Sequence, residues 1–275
     1  MTSTLSRDIR VVLITGASSG IGQACAIHLH RRSYRVFGTS RQARPDNGSF
    51  TMIPMDVDDD ASVQHAIDQI IQQTGRLDVV VNNAGIVFAG AIEDTSIEEA
   101  KAQFETNLFG VLRVCRAALP IMRQQRSGII VNIGSLAGTI GVPFHGLYAA
   151  SKFALEGFTE ALRSEVKSFG IQAVLIQPGD TRTNSIATRR RTAQSQNQSV
   201  YHDRNRAAVA QMESDERNGQ SPEVIARALE RILNSRSPRL RYKVGPFIEL
   251  LAVRTKPFVP GKLFQWFVEK YYHLK

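Results

Sequence analysis

Six short runs of apolar, largely β-branched residues punctuate the chain: VVLIT (11–15), RVFGT (35–39), TMIPM (51–55), LDVVV (77–81), GIIVNI (128–133) and IQAVLI (171–176). They are continuously apolar rather than alternating, as strands buried on both faces are. Between them, apolar residues recur at helical spacing over 59–73, 97–124 and 151–169. Strands that alternate with helices in this way predict an α/β fold built on a doubly wound, mainly parallel sheet with helices on both faces.

Two regions break the rhythm. Residues 184–220 are polar and weakly patterned, too long for an idle connection, and are read as a lid or substrate loop rather than a linker. Helical spacing resumes at SPEVIARALERIL, where Ser221 stands at the N-cap, Pro222 at the first helical position and Glu223 in the first turn. Residues 245–275 form an extension that holds much of the chain's aromatic content. The whole of 1–275 is read as one domain, with its core over about 10–183.

Composition narrows the class without choosing a function. Hydrophobic residues make up 43% and charged residues 21%, ordinary globular usage. The net charge of +9 reflects 34 Lys and Arg against 25 Asp and Glu, compatible with an acidic partner, an anionic cofactor or a solvated surface. Arg189, Arg190 and Arg191 fall in the polar stretch, and Arg239, Arg241, Lys243, Arg254, Lys256 and Lys262 give the C-terminal region its basic character. Cys25 and Cys115 alone exclude a disulfide framework or a four-thiolate zinc site. MTSTLSRDIR lacks a signal-peptide core, and no stretch reaches the roughly 18 apolar residues of a bilayer span. A reducing, cytoplasmic compartment is therefore expected, with the sequons at Asn47 and Asn197 as chance matches.

The first strand runs into TGASSGIG, Thr15 to Gly22. A strand, a glycine turn and a helix leave backbone N–H groups directed outward at a helix N-terminus, where a pyrophosphate binds. Gly16, Ser18, Ser19, Gly20, Ile21 and Gly22 are the candidates to hold it. The alternative, a tight turn without a ligand, is disfavoured by the strand before and the helix after. The second strand ends Thr39-Ser40-Arg41, without the acid that receives a ribose 2′-hydroxyl in NAD enzymes. Arg41 is either a surface arginine or a fork for a 2′-phosphate; the latter predicts NADP(H). Asp56, closing the third strand, is placed to accept from an adenine amino group or simply to end the strand.

Tyr148 and Lys152 in YAASK stand at i and i+4, on one helix face with Cβ atoms about 5–6 Å apart. A phenol of pKa near 10 is a poor proton carrier at neutrality, but an ammonium about 4 Å away at an effective dielectric near 20 would favour phenolate by roughly 4 kcal/mol. Such a pair also arises by chance on helix surfaces, so context decides. The strand GIIVNI ends in Gly134-Ser135, which puts a hydroxyl at the carboxyl edge of the sheet, as a substrate contact or an N-cap.

Taken together, TGASSGIG (15–22), NNAG (82–85), Asn107 in FETNLFG, Ser135, YAASK (148–152) and PGDTRT (178–183) resemble, in type and order, the short-chain dehydrogenase/reductase family. The resemblance covers about residues 10 to 183. It implies a Rossmann-like sheet of seven strands and a catalytic tetrad of Asn107, Ser135, Tyr148 and Lys152. Tyr148 would be the acid/base, Ser135 would hold the carbonyl, Lys152 would bind the nicotinamide ribose and lower the tyrosine pKa, and Asn107 would support a water path to Lys152. The cofactor contacts it implies, besides the glycine turn, Arg41, Tyr148 and Lys152, are Asp56 with Val57, Asn83 with Ala84 and Gly85, and Pro178, Gly179, Thr181 and Thr183. Asp180 departs from the apolar residue often found after that Pro-Gly.

The implied reaction is hydride transfer between NADP(H) and a carbonyl or secondary alcohol, with no metal. The extended tail resembles that of members acting on lipophilic ketones or aldehydes such as steroids, retinoids or fatty ketones. The rivals are a 3-oxoacyl-carrier-protein reductase and, in another class, a nonenzymatic NADP(H) sensor or nucleic-acid binder. The tetrad argues against the sensor, and no nucleic-acid-binding module is recognisable. The aromatic, basic tail is expected to cover the pocket or a subunit interface rather than touch a membrane. The resemblance further implies a homodimer or homotetramer packed through the helices at 97–124 and 151–169.

Overall fold

The computed structural model describes residues 9–42, 49–196 and 199–274; Asn47, Asn197 and the first eight residues lie outside these. Strand β1 (Val11–Ile14) is buried along its whole length and feeds helix α1 (Gly20–Arg31). Next come β2 (Arg35–Ser40), β3 (Thr51–Pro54), α2 (Asp60–Thr74), β4 (Val79–Asn82) and the two-residue β5 (Phe88–Ala89). Helices α3 (Ile97–Phe104) and α4 (Gly110–Gln125) lead to β6 (Gly128–Ile133), α5 (Gly146–Val166) and β7 (Ile171–Pro178). The chain closes with α6 (Ser185–Thr188), β8 (Arg190–Arg191), α7 (His202–Asn218), α8 (Pro222–Leu233), β9 (Arg241–Val244), α9 (Phe247–Thr255) and α10 (Gly261–Tyr271).

Seven strands form one sheet in the order β3-β2-β1-β4-β6-β7-β9, every neighbouring pair parallel. This is the doubly wound, Rossmann-like architecture expected from the buried strands. Alternation sorts the side chains onto two cores. Val11 and Leu13 join α2, α4 and α5, through residues such as Ile67, Val114 and Leu155. Val12 and Ile14 join α1 and α8, through Cys25, Leu29, Ile225 and Leu229. Both cysteines are therefore core residues, and burial pushes each thiol up to about 12.

Local signals explain several boundaries. Asp59 caps α2 by accepting from the Ser62 N–H at 2.8 Å, and left-handed Gly75 ends it. Ser96 and Glu99 form a capping box on α3. Ser221 occupies the N-cap of α8 and Pro222 its first turn, but the serine side chain makes no capping bond.

The structure departs from the sequence reading in three places. The helix expected over 97–124 is interrupted by a π-helical turn at Glu105–Phe109, which re-aims Asn107. Helix α5 begins five residues before the expected 151, so Tyr148 and Lys152 both lie on it. Residues 184–220 are not an open loop: they contain α7, whose buried Asn205, Ala208, Val209 and Met212 follow helical spacing. That stripe is narrow and the rest of the helix is charged, so its apolar signal is diluted. Backbone pairing of Thr181 with Gln220 closes the segment at its base, and β8 pairs with β5.

Candidate active site

The C-terminal edge of the sheet carries the site. At its cofactor end, Gly16 and Gly20 take positive φ in the turn between β1 and α1. Thr15 and Asn83 stitch this turn to the end of β4. The Asn83 and Ala84 N–H groups both donate to Thr15 Oγ1 at 2.9 Å, and Asn83 Nδ2 donates to the carbonyls of Thr15 and Gly16 at 2.9 and 3.1 Å. Close approach is essential here: a Cβ on Gly22 would lie 2.4 Å from Asn83 Nδ2 and 2.5 Å from Gly16 O.

Helix α1 starts at this turn with neither a side-chain cap on Ser19 nor an acid in its first turn. Its leading N–H groups and positive end suit a pyrophosphate. Arg41 is exposed just beyond β2. Asp56 and buried Val57 follow β3, and the Met55 N–H bond to Ser40 O holds these two strand ends together. The residues present fit a dinucleotide, and Arg41 and Asp56 follow the adjacent strands β2 and β3.

A cavity of about 530 Å³ extends from Ile21, Asn83 and Gly85 to Ser135, Tyr148 and Lys152, and onward between Pro178, Gly179, Thr181 and Thr183. Thr181 is held there by donating to Gly179 O at 2.9 Å. The outer walls come from α7, α9 and α10, through Met212, Ala252, Val253, Phe264 and Val268.

Three of the four tetrad residues meet in this cavity. Ser135 caps the short helix after β6, its Oγ accepting from the Ala137 N–H at 3.1 Å, and also hydrogen-bonds Tyr148. Lys152 Nζ lies 5.8 Å from the Tyr148 ring centroid and donates to Ile133 O at 2.9 Å. Asn107, although 1% exposed, is set behind them. Its Oδ1 accepts from the Ile86 N–H at 2.9 Å, and its Nδ2 donates to Ile86 O and Ser151 Oγ, each at 3.1 Å. Its side chain thus clamps the loop after β4 to α5 and does not itself reach Lys152.

The electrostatics correct the simple ion-pair expectation. Burial raises the Tyr148 phenol pKa, with the Ser135 hydrogen bond opposing it and the charges of Glu216 and Asp180 adding to it. Lys152 is itself desolvated, down to about 8. Both groups stay protonated at neutral pH, so Tyr148 is poised as a proton donor rather than as a phenolate.

Several residues escaped the sequence reading. His145 packs edge-on against Tyr148 with ring centroids 5.8 Å apart. Burial and Arg189 depress its pKa to about 3, and its Nε2 is buried without a hydrogen-bond partner. Phe144, just before it, holds φ at 59°, a strained value for a bulky residue. Its carbonyl accepts from the Gly90 N–H at 2.9 Å. Beneath the site, Asn82 Nδ2 donates to Asn132 Oδ1 at 2.8 Å and Asn132 Nδ2 to Thr159 Oγ1 at 2.9 Å, tying β4, β6 and α5 together. An asparagine inside the apolar GIIVNI was the available signal. On the cavity wall, Asp180 faces Glu249, which accepts from the Asp180 N–H at 3.0 Å. Burial and then the Glu249 charge raise the Asp180 carboxyl to about 8, while burial also raises Glu249 against the opposing pull of its hydrogen bonds from Asp180, so Asp180 keeps a proton that it donates to Glu249.

A dinucleotide turn, a parallel doubly wound sheet and a Tyr–Lys pair at its carboxyl edge define a nicotinamide-dependent oxidoreductase. A family model for short chain dehydrogenases matches residues 10–194, and the chain belongs to that family. It is 39% identical over 266 residues to a 3-ketodihydrosphingosine reductase of Bacteroides thetaiotaomicron, covering 97% of this chain and 99% of that one. It is 34% identical to retinol dehydrogenase 8 of Bos taurus, covering 89% and 85% of the two chains. A crystal structure of a short-chain dehydrogenase/reductase from Burkholderia phymatum in complex with NAD superposes with a TM-score of 0.79 at 26% identity, covering 91% and 94%.

Proposed function

We propose that the chain is an NADPH-dependent reductase of a long-chain ketone bearing an amino group beside the carbonyl, as 3-ketodihydrosphingosine does. The observation that carries this reading is the cavity above Tyr148, largely apolar where α7, α9 and α10 wall it, with the Asp180–Glu249 pair on one side. Apolar walls suit an alkyl chain. A carboxyl pair sharing a proton suits a cation, because an ammonium removes the repulsion that holds that proton in place. The likeness to the Bacteroides reductase over nearly the full length of both chains supports the same substrate class.

Bound NADPH would supply a hydride to the carbonyl carbon. Tyr148 donates its phenolic proton to the carbonyl oxygen, and the Ser135 hydroxyl donates a hydrogen bond that holds that oxygen in place. Lys152, kept charged below about pH 8, holds the nicotinamide ribose and steadies the developing phenolate. Asn107 positions α5 and the loop after β4 rather than touching substrate. Arg41 supports the choice of NADP(H), since its exposed guanidinium has room for a 2′-phosphate. Exposed Phe109 at the end of the π turn, Leu112 on α4 and Phe153 on α5 support a homo-oligomer packed through those helices.

NADPH oxidation with three substrates tests the reading: 3-ketodihydrosphingosine, the same ketone without its amino group, and a 3-oxoacyl carrier protein. The amino ketone is expected to show the highest kcat/KM. Faster turnover of the carrier-bound substrate, or no turnover of either long-chain ketone, overturns the proposal.

A further inference from the structure

The two C-terminal helices are apolar on opposite sides. On α9, Ala252 and Val253 face the cavity, while Phe247 (77% exposed) and Leu251 face solvent. On α10, Phe264 and Val268 face the cavity, while Leu263, Trp266 and Phe267 form an outer stripe at i, i+3 and i+4. Phe258, between the helices, is 85% exposed. A helix apolar all round belongs in a core or in lipid, yet this pair lies at the surface.

Two further observations identify what covers it. The first is charge. Among the described residues of 245–274, the exposed Lys and Arg are Arg254, Lys262 and Lys270, whereas Glu249 and Glu269 are turned partly inward. Lys270 Nζ sits 5.2 Å from the Trp266 ring centroid, so cation and indole present themselves side by side. Aromatic residues interleaved with lysine and arginine on a helix that lies flat are the signature of an anionic lipid surface. The second is continuity. Ile248 is 78% exposed and Phe267 54%, and both also line the cavity, so the outer apolar patch runs over the rim into the site.

We infer that α9 and α10 dock on an anionic lipid bilayer and that the cavity opens toward it, so that a lipophilic ketone enters from the membrane rather than from water. The docking stands on the patch and its charge. The route of entry rests on the reading of the cavity as a lipophilic-ketone site. Among the described residues no helix is long and apolar enough to span a bilayer, so the contact is interfacial.

The chain holds a single tryptophan, Trp266, which reports docking directly. The full-length protein is titrated with vesicles of phosphatidylcholine containing about a quarter phosphatidylglycerol, against pure phosphatidylcholine, and floated on the same vesicles. The expected result is a blue shift of Trp266 emission and flotation with the anionic vesicles, weakened by salt. Lys262→Glu should cut partitioning by at least about fivefold, the worth of one basic residue at such a surface. Phe258→Glu should weaken it as well, while turnover of a short, water-soluble ketone stays unchanged and shows that the variant folds. An emission maximum that vesicles do not move overturns the inference, as does one already blue-shifted by self-association without lipid. Equal binding to pure phosphatidylcholine overturns the role given to charge. Because fluorescence and flotation need no turnover, vesicle binding by a protein that reduces no long-chain ketone would sink the functional reading and leave the docking standing.

Discussion

Replacing Gly22 by alanine tests whether the cofactor turn is built by close approach. The new Cβ would lie 2.4 Å from Asn83 Nδ2 and 2.5 Å from Gly16 O, and both are already held by hydrogen bonds. Overpacking of this kind costs about 1–3 kcal/mol. Displacing the Asn83 carboxamide would break two bonds to the turn, at about 1 kcal/mol each. The sum is about 3–5 kcal/mol, a fall in Tm of about 6–10 °C at the roughly 2 °C per kcal/mol of a chain this size. The turn's N–H groups move with Gly16, so NADPH Kd should rise at least about tenfold through the loss of one charge-assisted bond. Gly157→Ala is the control, since it sits mid-helix on α5 with nothing within 4 Å of an added Cβ. That change should stabilise by about 0.5–1 kcal/mol. Thermal melts and NADPH titration of the two variants decide the matter. A Gly22→Ala protein with Tm and Kd both at the wild-type values would refute the reasoning.

Arg41→Ala should raise the NADPH KM by about tenfold to a hundredfold, from the loss of a charge-assisted contact, and leave the NADH KM nearly unchanged; equal effects on both cofactors would remove Arg41 from the 2′-phosphate. Asp180→Asn mimics the protonated member of the acid pair, so its Tm should hold while KM rises about tenfold or more for the amino ketone alone; an equal rise for the ketone lacking nitrogen would refute an ammonium contact. His145 is pushed down to about 3 in the folded chain from 6.5, so the unfolded chain binds the extra proton between those values. Stability therefore falls as pH drops below about 6.5, by up to several kcal/mol, and His145→Phe should flatten that acid limb in urea titrations, whereas parallel limbs would contradict it.

The sheet was legible because its strands are apolar on both faces and its helices carry regular stripes, a signal that tertiary context reinforces. The glycine turn was legible for a different reason: few residue types fit where Asn83 meets Gly16 and Gly22. Helix α7 was not legible, because its buried stripe of Asn205, Ala208, Val209 and Met212 includes a polar and a small residue and the remainder is charged. The π turn at Asn107 leaves no composition signal, since its carboxamide is held by Ile86 and Ser151, which lie 21 and 44 residues away in the sequence. The sequence placed Tyr148 and Lys152 on one helix face, but not the burial that raises the phenol and lowers the amine. Asp180 stood out as a departure from the family pattern, yet its partner Glu249 lies 69 residues away and only the fold brings it near.

The central claim is that Tyr148 gives the proton to the reduced carbonyl. Tyr148→Phe removes one hydroxyl from a ring that α5 and His145 hold in place. Single-turnover reduction by the NADPH-loaded variant is the direct measurement. The account predicts a melt within a few degrees of wild type, unchanged NADPH affinity, and a hydride-transfer rate lower by about a thousandfold. A rate within tenfold of wild type in a protein that still binds NADPH would contradict it.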